Sequence, residues 1–119
     1  MGAERYEIKE LPTNLSAAAA ALTDGVTIAF SGDLESNNYQ LRLIILNLGG
    51  YALGAFGTDI KGALPEGVRD DLTKEECELV ASSLSEQAAN PQAKMAISPL
   101  LIISVISTLY KLYQQFRAK

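Results

Sequence analysis

Ser98–Phe116, S-P-L-L-I-I-S-V-I-S-T-L-Y-K-L-Y-Q-Q-F, is the longest apolar run in the chain, and what packs on it decides the fold. Ser98 suits an N-cap, because its hydroxyl can accept from the open N–H groups of a first turn. Pro99 then falls at the first helical position, where a missing N–H costs nothing and φ is already set. Polar residues recur at Ser104, Ser107/Thr108, Lys111 and Gln114/Gln115, a three-to-four spacing. Ile102, Val105, Ile106, Leu109, Leu112, Tyr113 and Phe116 fill the rest of the wheel. The pattern predicts a helix with a wide buried face and a narrow wet stripe. Its uncharged part, Met95 to Tyr110, is sixteen residues long. At about 1.5 Å per residue that reaches roughly 24 Å, short of roughly 30 Å of hydrocarbon. Burial in protein is therefore expected, with membrane association as the alternative.

Upstream, Leu72-Thr73-Lys74-Glu75-Glu76 opens a second helix. Thr73 and Glu76 have the spacing of a capping box, and Leu72 can staple onto Cys77 one turn in. That helix is expected to reach about Ala89, with Cys77, Val80, Ala81, Leu84 and Ala88 on one stripe, and Asn90-Pro91 stops it. A short link joins it to the terminal helix, so residues 73–89 and 99–117 are expected to pair as an antiparallel hairpin. Residues 58–71, polar with two glycines and a proline, read as a surface connection.

The first half is less regular. Residues 5–10, R-Y-E-I-K-E, alternate and suggest an edge strand. Thr13 or Asn14 can cap a short helix, Leu15 to Leu22, built on five consecutive alanines. Asp24-Gly25 is expected to end it. Val26–Ser31, alternating and bracketed by Gly25 and Gly32, reads as a strand. The string from Gly25 to Ser36, G-V-T-I-A-F-S-G-D-L-E-S, faintly resembles the opening strand of anti-sigma-antagonist (STAS-like) domains. The Asp-Ser-Ser-Gly-type motif of that family is missing downstream, so the family is not assigned. Residues 39–48 fit either period; their length favours a helix capped by Ser36. In G-G-Y-A-L-G-A-F-G, Gly50 and Gly54 form a G-x-x-x-G pair suited to close helix packing, or else mark a loop. A phosphate cradle would need Gly-Lys-Ser/Thr or G-x-G-x-x-G, and neither occurs. The fold expected is a single, mainly α domain over residues 1–119. A minor β element at 5–10 and 26–31 makes α+β the alternative.

Composition narrows the function. The chain has 119 residues, a net charge of −4 and no histidine. That absence removes the usual general base and the commonest metal ligand. Residues 1–92 hold six Lys/Arg against all fourteen Asp/Glu, giving −8; residues 93–119 hold four cations and no acid, giving +4. An acidic body argues against a nucleic-acid partner. Cys77, the single cysteine, rules out an internal disulfide framework and fits a reducing, cytoplasmic setting. It lacks an imidazole to activate it, and no serine lies in G-x-S-x-G. The carboxylates Asp70, Asp71, Glu75, Glu76 and Glu78 suit a helix N-terminus better than a metal site. No catalytic, cofactor-binding or metal-binding residues are assigned.

What remains is an apolar surplus too large for a small domain to enclose. It points to an interaction or assembly module forming a homo-oligomer or hetero-complex. The interface candidates are Gly50, Gly54, Ile102, Val105, Leu109, Tyr110, Leu112, Tyr113 and Phe116. An accessory subunit of an enzyme is a related reading. A second uncharged run, Leu43 to Thr58, together with 95–113 and a basic tail, loosely resembles the two-span layout of phage holins. That resemblance implies a membrane-associated alternative.

Overall fold

A computed structural model describes residues 15–57, 72–90 and 99–117. Within them lie four helices and no strand: α1 Leu15–Ala29, α2 Leu34–Phe56, α3 Lys74–Ala89 and α4 Pro99–Arg117. The radius of gyration, 13.2 Å, is close to the roughly 13–14 Å of a compact chain this long. The mainly α reading stands. The edge strand at 5–10, the caps Thr13, Asn14 and Ser98, and the connection 58–71 lie outside the described residues.

The strand at 26–31 is overturned. Val26–Ala29 complete α1, and Phe30 and Ser31 form the turn behind it. Once the alanines have started a helix, each further residue adds a hydrogen bond for little extra ordering. The apolar residues also fit the helical period: Ala18, Leu22 and Val26 recur every four, and all are buried. Thr27, which looked like a strand residue, donates its hydroxyl to the Thr23 carbonyl at 3.0 Å. Asp24-Gly25 does not end the helix either. Gly25 lies inside it and is buried. A Cβ built there would stand 3.0 Å from Leu109 Cδ1 and 3.1 Å from Ile44 Cγ2. The missing side chain lets α1 approach α2 and α4 closely.

Residues 39–48 are helical, as their length suggested, within a longer α2 that starts at Leu34 behind Asp33, not behind Ser36. The glycine-rich segment continues this helix and ends it at Gly57. There φ is 69°, and the Gly57 N–H reaches the Leu53 carbonyl at 2.9 Å. A left-handed residue at that position is the usual glycine stop.

α3 carries the expected capping box. Thr73 Oγ1 accepts from the Glu76 N–H at 3.1 Å, and Glu76 Oε1 accepts from the Thr73 N–H at 2.9 Å. Cys77, Val80, Ala81 and Leu84 are buried, and Ala88 packs against the same core. The pairing of the helices differs in emphasis from a simple hairpin. α1 packs most extensively on α3 and next on α2, α2 carries α4, α3 and α4 share the smallest contact, and among the described residues α2 and α3 do not meet.

The polar stripe of α4 is only half wet. Lys111, Gln114 and Gln115 are exposed, but Ser104, Ser107 and Thr108 are buried. The buried Ser107 hydroxyl has no hydrogen-bond partner, whereas the Thr108 hydroxyl is satisfied, donating to the Ser104 carbonyl at 2.9 Å and accepting from the Leu72 N–H at 3.2 Å. The start of α3 is thereby tied to the middle of α4. Among the described residues, no helix is long and apolar enough to cross a membrane.

Candidate functional site

α2 and α4 leave between them an open groove of about 740 Å³. On the α2 side, Asn38, Tyr39, Arg42, Ile45 and Leu46 recur every three or four residues and so share one helical stripe. On the α4 side, Tyr110, Tyr113, Gln114 and Arg117 do the same. Ile45 is buried and forms an apolar floor with half-buried Leu46. Tyr39 is 57% exposed, Tyr110 and Tyr113 are half-buried, and both arginines are exposed.

Local sequence explains each wall. α2 begins after a turn in which the Ser31 hydroxyl donates to the Ile28 carbonyl at 2.9 Å and accepts from the Asp33 N–H at 3.0 Å. Asn37 and Asn38 then turn their amides back onto the Asp33 and Glu35 carbonyls, at 3.1 and 2.7 Å. This leaves Tyr39 and Arg42 as the prominent side chains of the first turns. On α4, the Arg117 guanidinium stands 6.0 Å from the centre of the Tyr113 ring, a cation–π distance. The stacking steers the last cation of the helix towards the groove.

Among the described residues, no carboxylate, imidazole or thiol lines the groove. What it offers is two guanidiniums, each a planar fork of donors, and three rings with apolar faces and polar tips. Tyr and Arg are the residues that concentrate at the well-packed centres of protein interfaces. The arrangement suits an acidic surface carrying an apolar anchor.

The interface candidates read from the sequence are dispersed by the fold. Tyr110 and Tyr113 line the groove. Leu112 and Phe116 are half-buried outside its lining. Ile102, Val105 and Leu109 belong to the chain's own core. Gly50 is half-buried, and Gly54 is exposed with nothing within 4 Å of an added Cβ. Gly54 therefore makes no close helix contact among the described residues, whereas Gly25 does. Sequence reading missed Asn38, Tyr39, Arg42, Ile45, Leu46, Gln114 and Arg117. The signal was there in the spacing Tyr39, Arg42, Leu46, which places the one cation of that segment beside an aromatic ring.

Cys77 has the opposite character. It is a free thiol buried in the core, and its pKa is pushed up to about 11, first by burial and then by Glu76 and Glu78. A thiolate there is strongly disfavoured at neutral pH. Among the described residues, no group of His, Cys, Asp or Glu is placed to hold a metal ion. No known family, curated protein or solved structure matches this chain.

Proposed function

We propose that this chain is a non-catalytic protein–protein interaction module that engages a partner chain through the α2–α4 groove. The observation that carries this is charge against context. A chain of net charge −4 gathers two arginines and three tyrosines into one groove, and among the described residues no acid lines it. A nucleic acid is a poor candidate, since the phosphate backbone needs a broad basic face. A buried free thiol and no histidine fit a binding role in a reducing compartment such as the cytoplasm.

The test is retention of proteins from a host lysate on the immobilised full chain, compared with Arg42→Glu/Arg117→Glu, with quantitative mass spectrometry as the readout. Circular dichroism establishes that the variant keeps its helices. At least one protein, this chain included, should fall tenfold or more in recovery on the variant. An identical set at identical recovery would overturn the proposal.

A further inference from the structure

Resting on that reading, we infer that the groove's occupant is the outer face of α3 of a second copy of this chain. α3 turns Cys77, Val80, Ala81 and Leu84 inward, so Glu75, Glu78, Leu79, Ser82 and Glu86 form one solvent-facing stripe. Leu79 is 67% exposed, the most exposed large apolar side chain among the described residues. A large apolar residue held in water between acids has no role in its own core. It has the form of an anchor, and the groove has the form of its socket.

The dimensions agree. Glu78 and Glu86 are eight residues apart, about 12 Å along a helix. The α2 wall from Asn38 to Leu46 also spans eight residues, about 12 Å by the same rise. A helix laid in the groove can set Leu79 on Ile45 and Leu46 while Glu78 and Glu86 reach Arg42 and Arg117. Carboxylate–guanidinium pairs in a rim of tyrosine are strengthened by partial exclusion of water. Among the described residues, Lys74 at the edge of the stripe and Glu35, one turn before Asn38 and Tyr39 on α2, oppose the match. Reciprocal docking fills both grooves in a closed two-fold dimer, whereas one-way docking builds an open chain.

The experiment is size-exclusion chromatography with light scattering on the full chain at about 50 and 500 mM salt, conditions chosen to vary screening. The wild type should exceed its 12.8 kDa monomer mass at low salt and fall towards it at high salt. Arg42→Glu/Arg117→Glu and Glu78→Lys/Glu86→Lys should each weaken association at least tenfold. Their equimolar mixture should recover it, because each supplies the charge the other has reversed. A monomeric wild type at every concentration, or an oligomer indifferent to both reversals, overturns the inference. If the wild type is monomeric yet lysate recovery still depends on Arg42 and Arg117, a different protein fills the groove, and only the identity of the occupant is lost. If neither experiment depends on them, the groove reading falls as well.

Discussion

Gly25→Ala is the sharpest single test of how the helices meet. The added methyl would stand 3.0 Å from Leu109 Cδ1 and 3.1 Å from Ile44 Cγ2, so the neighbours must give by a few tenths of an ångström. Neither has room, since both are fully buried, and the β-branch of Ile44 is stiff at χ1. Overpacking of this kind costs about 1–3 kcal/mol. Against it stands the better helix propensity of alanine, about 1 kcal/mol. The balance is a destabilisation of about 1 kcal/mol by these two magnitudes. Gly54→Ala is the matched control: a helical glycine with nothing within 4 Å of the new Cβ. There only propensity acts, and the variant should gain about 0.5–1 kcal/mol. Urea unfolding followed by circular dichroism separates the two. With slopes of about 1–3 kcal/mol/M, the midpoints should lie about 1 M apart, in opposite directions from wild type. Gly25→Val should be worse than Gly25→Ala, because its branches drive further into the same two side chains. A Gly25→Ala midpoint equal to or above that of Gly54→Ala would refute the close approach of α1 to Ile44 and Leu109.

Three further perturbations follow from single contacts. Thr73→Ala removes the oxygen that accepts from the Glu76 N–H and should cost about 1 kcal/mol in urea unfolding, with Thr73→Ser close to neutral. Asn47 is 1% exposed, and neither its amide nitrogen nor its oxygen has a hydrogen-bond partner. Asn47→Leu, of similar size, should therefore stabilise the fold by about 1–3 kcal/mol, and a loss of stability would contradict that unpaired state. Cys77, held at about 11 against an ordinary 9.0, binds its proton more tightly folded than unfolded. Its contribution is fully present below about pH 9 and fades as pH rises to 11, by up to ~3 kcal/mol. Melts of wild type and Cys77→Ala across pH 7 to 11 should show the difference between them shrink over that window, and a constant difference would count against it.

Features held within one helix were legible in the sequence. The Thr73–Glu76 box needs only its own four residues, and the stripe from Cys77 to Ala88 needs only the helical period. Pro99 likewise opens α4 where expected. Features that depend on a second helix were not legible. Val26–Ser31 alternates well enough for a strand, and only the alanine helix behind it and the core around Val26 and Ile28 decide otherwise. Gly25 resembles a helix stop until Leu109, 84 positions later, comes to rest against it. The groove is the clearest case. Each wall shows a three-to-four spacing, but two unrelated stripes become one site only when α2 and α4 dock.

The same docking changes the reason for expecting a partner. An apolar surplus suggests that this chain needs another to cover it, yet most of that surface among the described residues is buried. Among the described residues, only Tyr39, Leu53, Leu79, Leu100 and Leu101 remain as large exposed apolar side chains. α4 shows where the surplus went. From Ile102 to Leu109 every residue is buried, serines and threonine included, so this stretch has no free face. From Tyr110 onward the helix is half-buried or exposed at each position through Arg117, and it is there that Tyr110, Tyr113, Gln114 and Arg117 wall the groove. The middle of the helix is committed to the core and its end is left open. An interface built on that end draws its specificity from guanidinium and phenol groups, with an apolar anchor supplied from outside. That is the ground for proposing the outer face of α3, with Leu79 set among glutamates, as the groove's occupant.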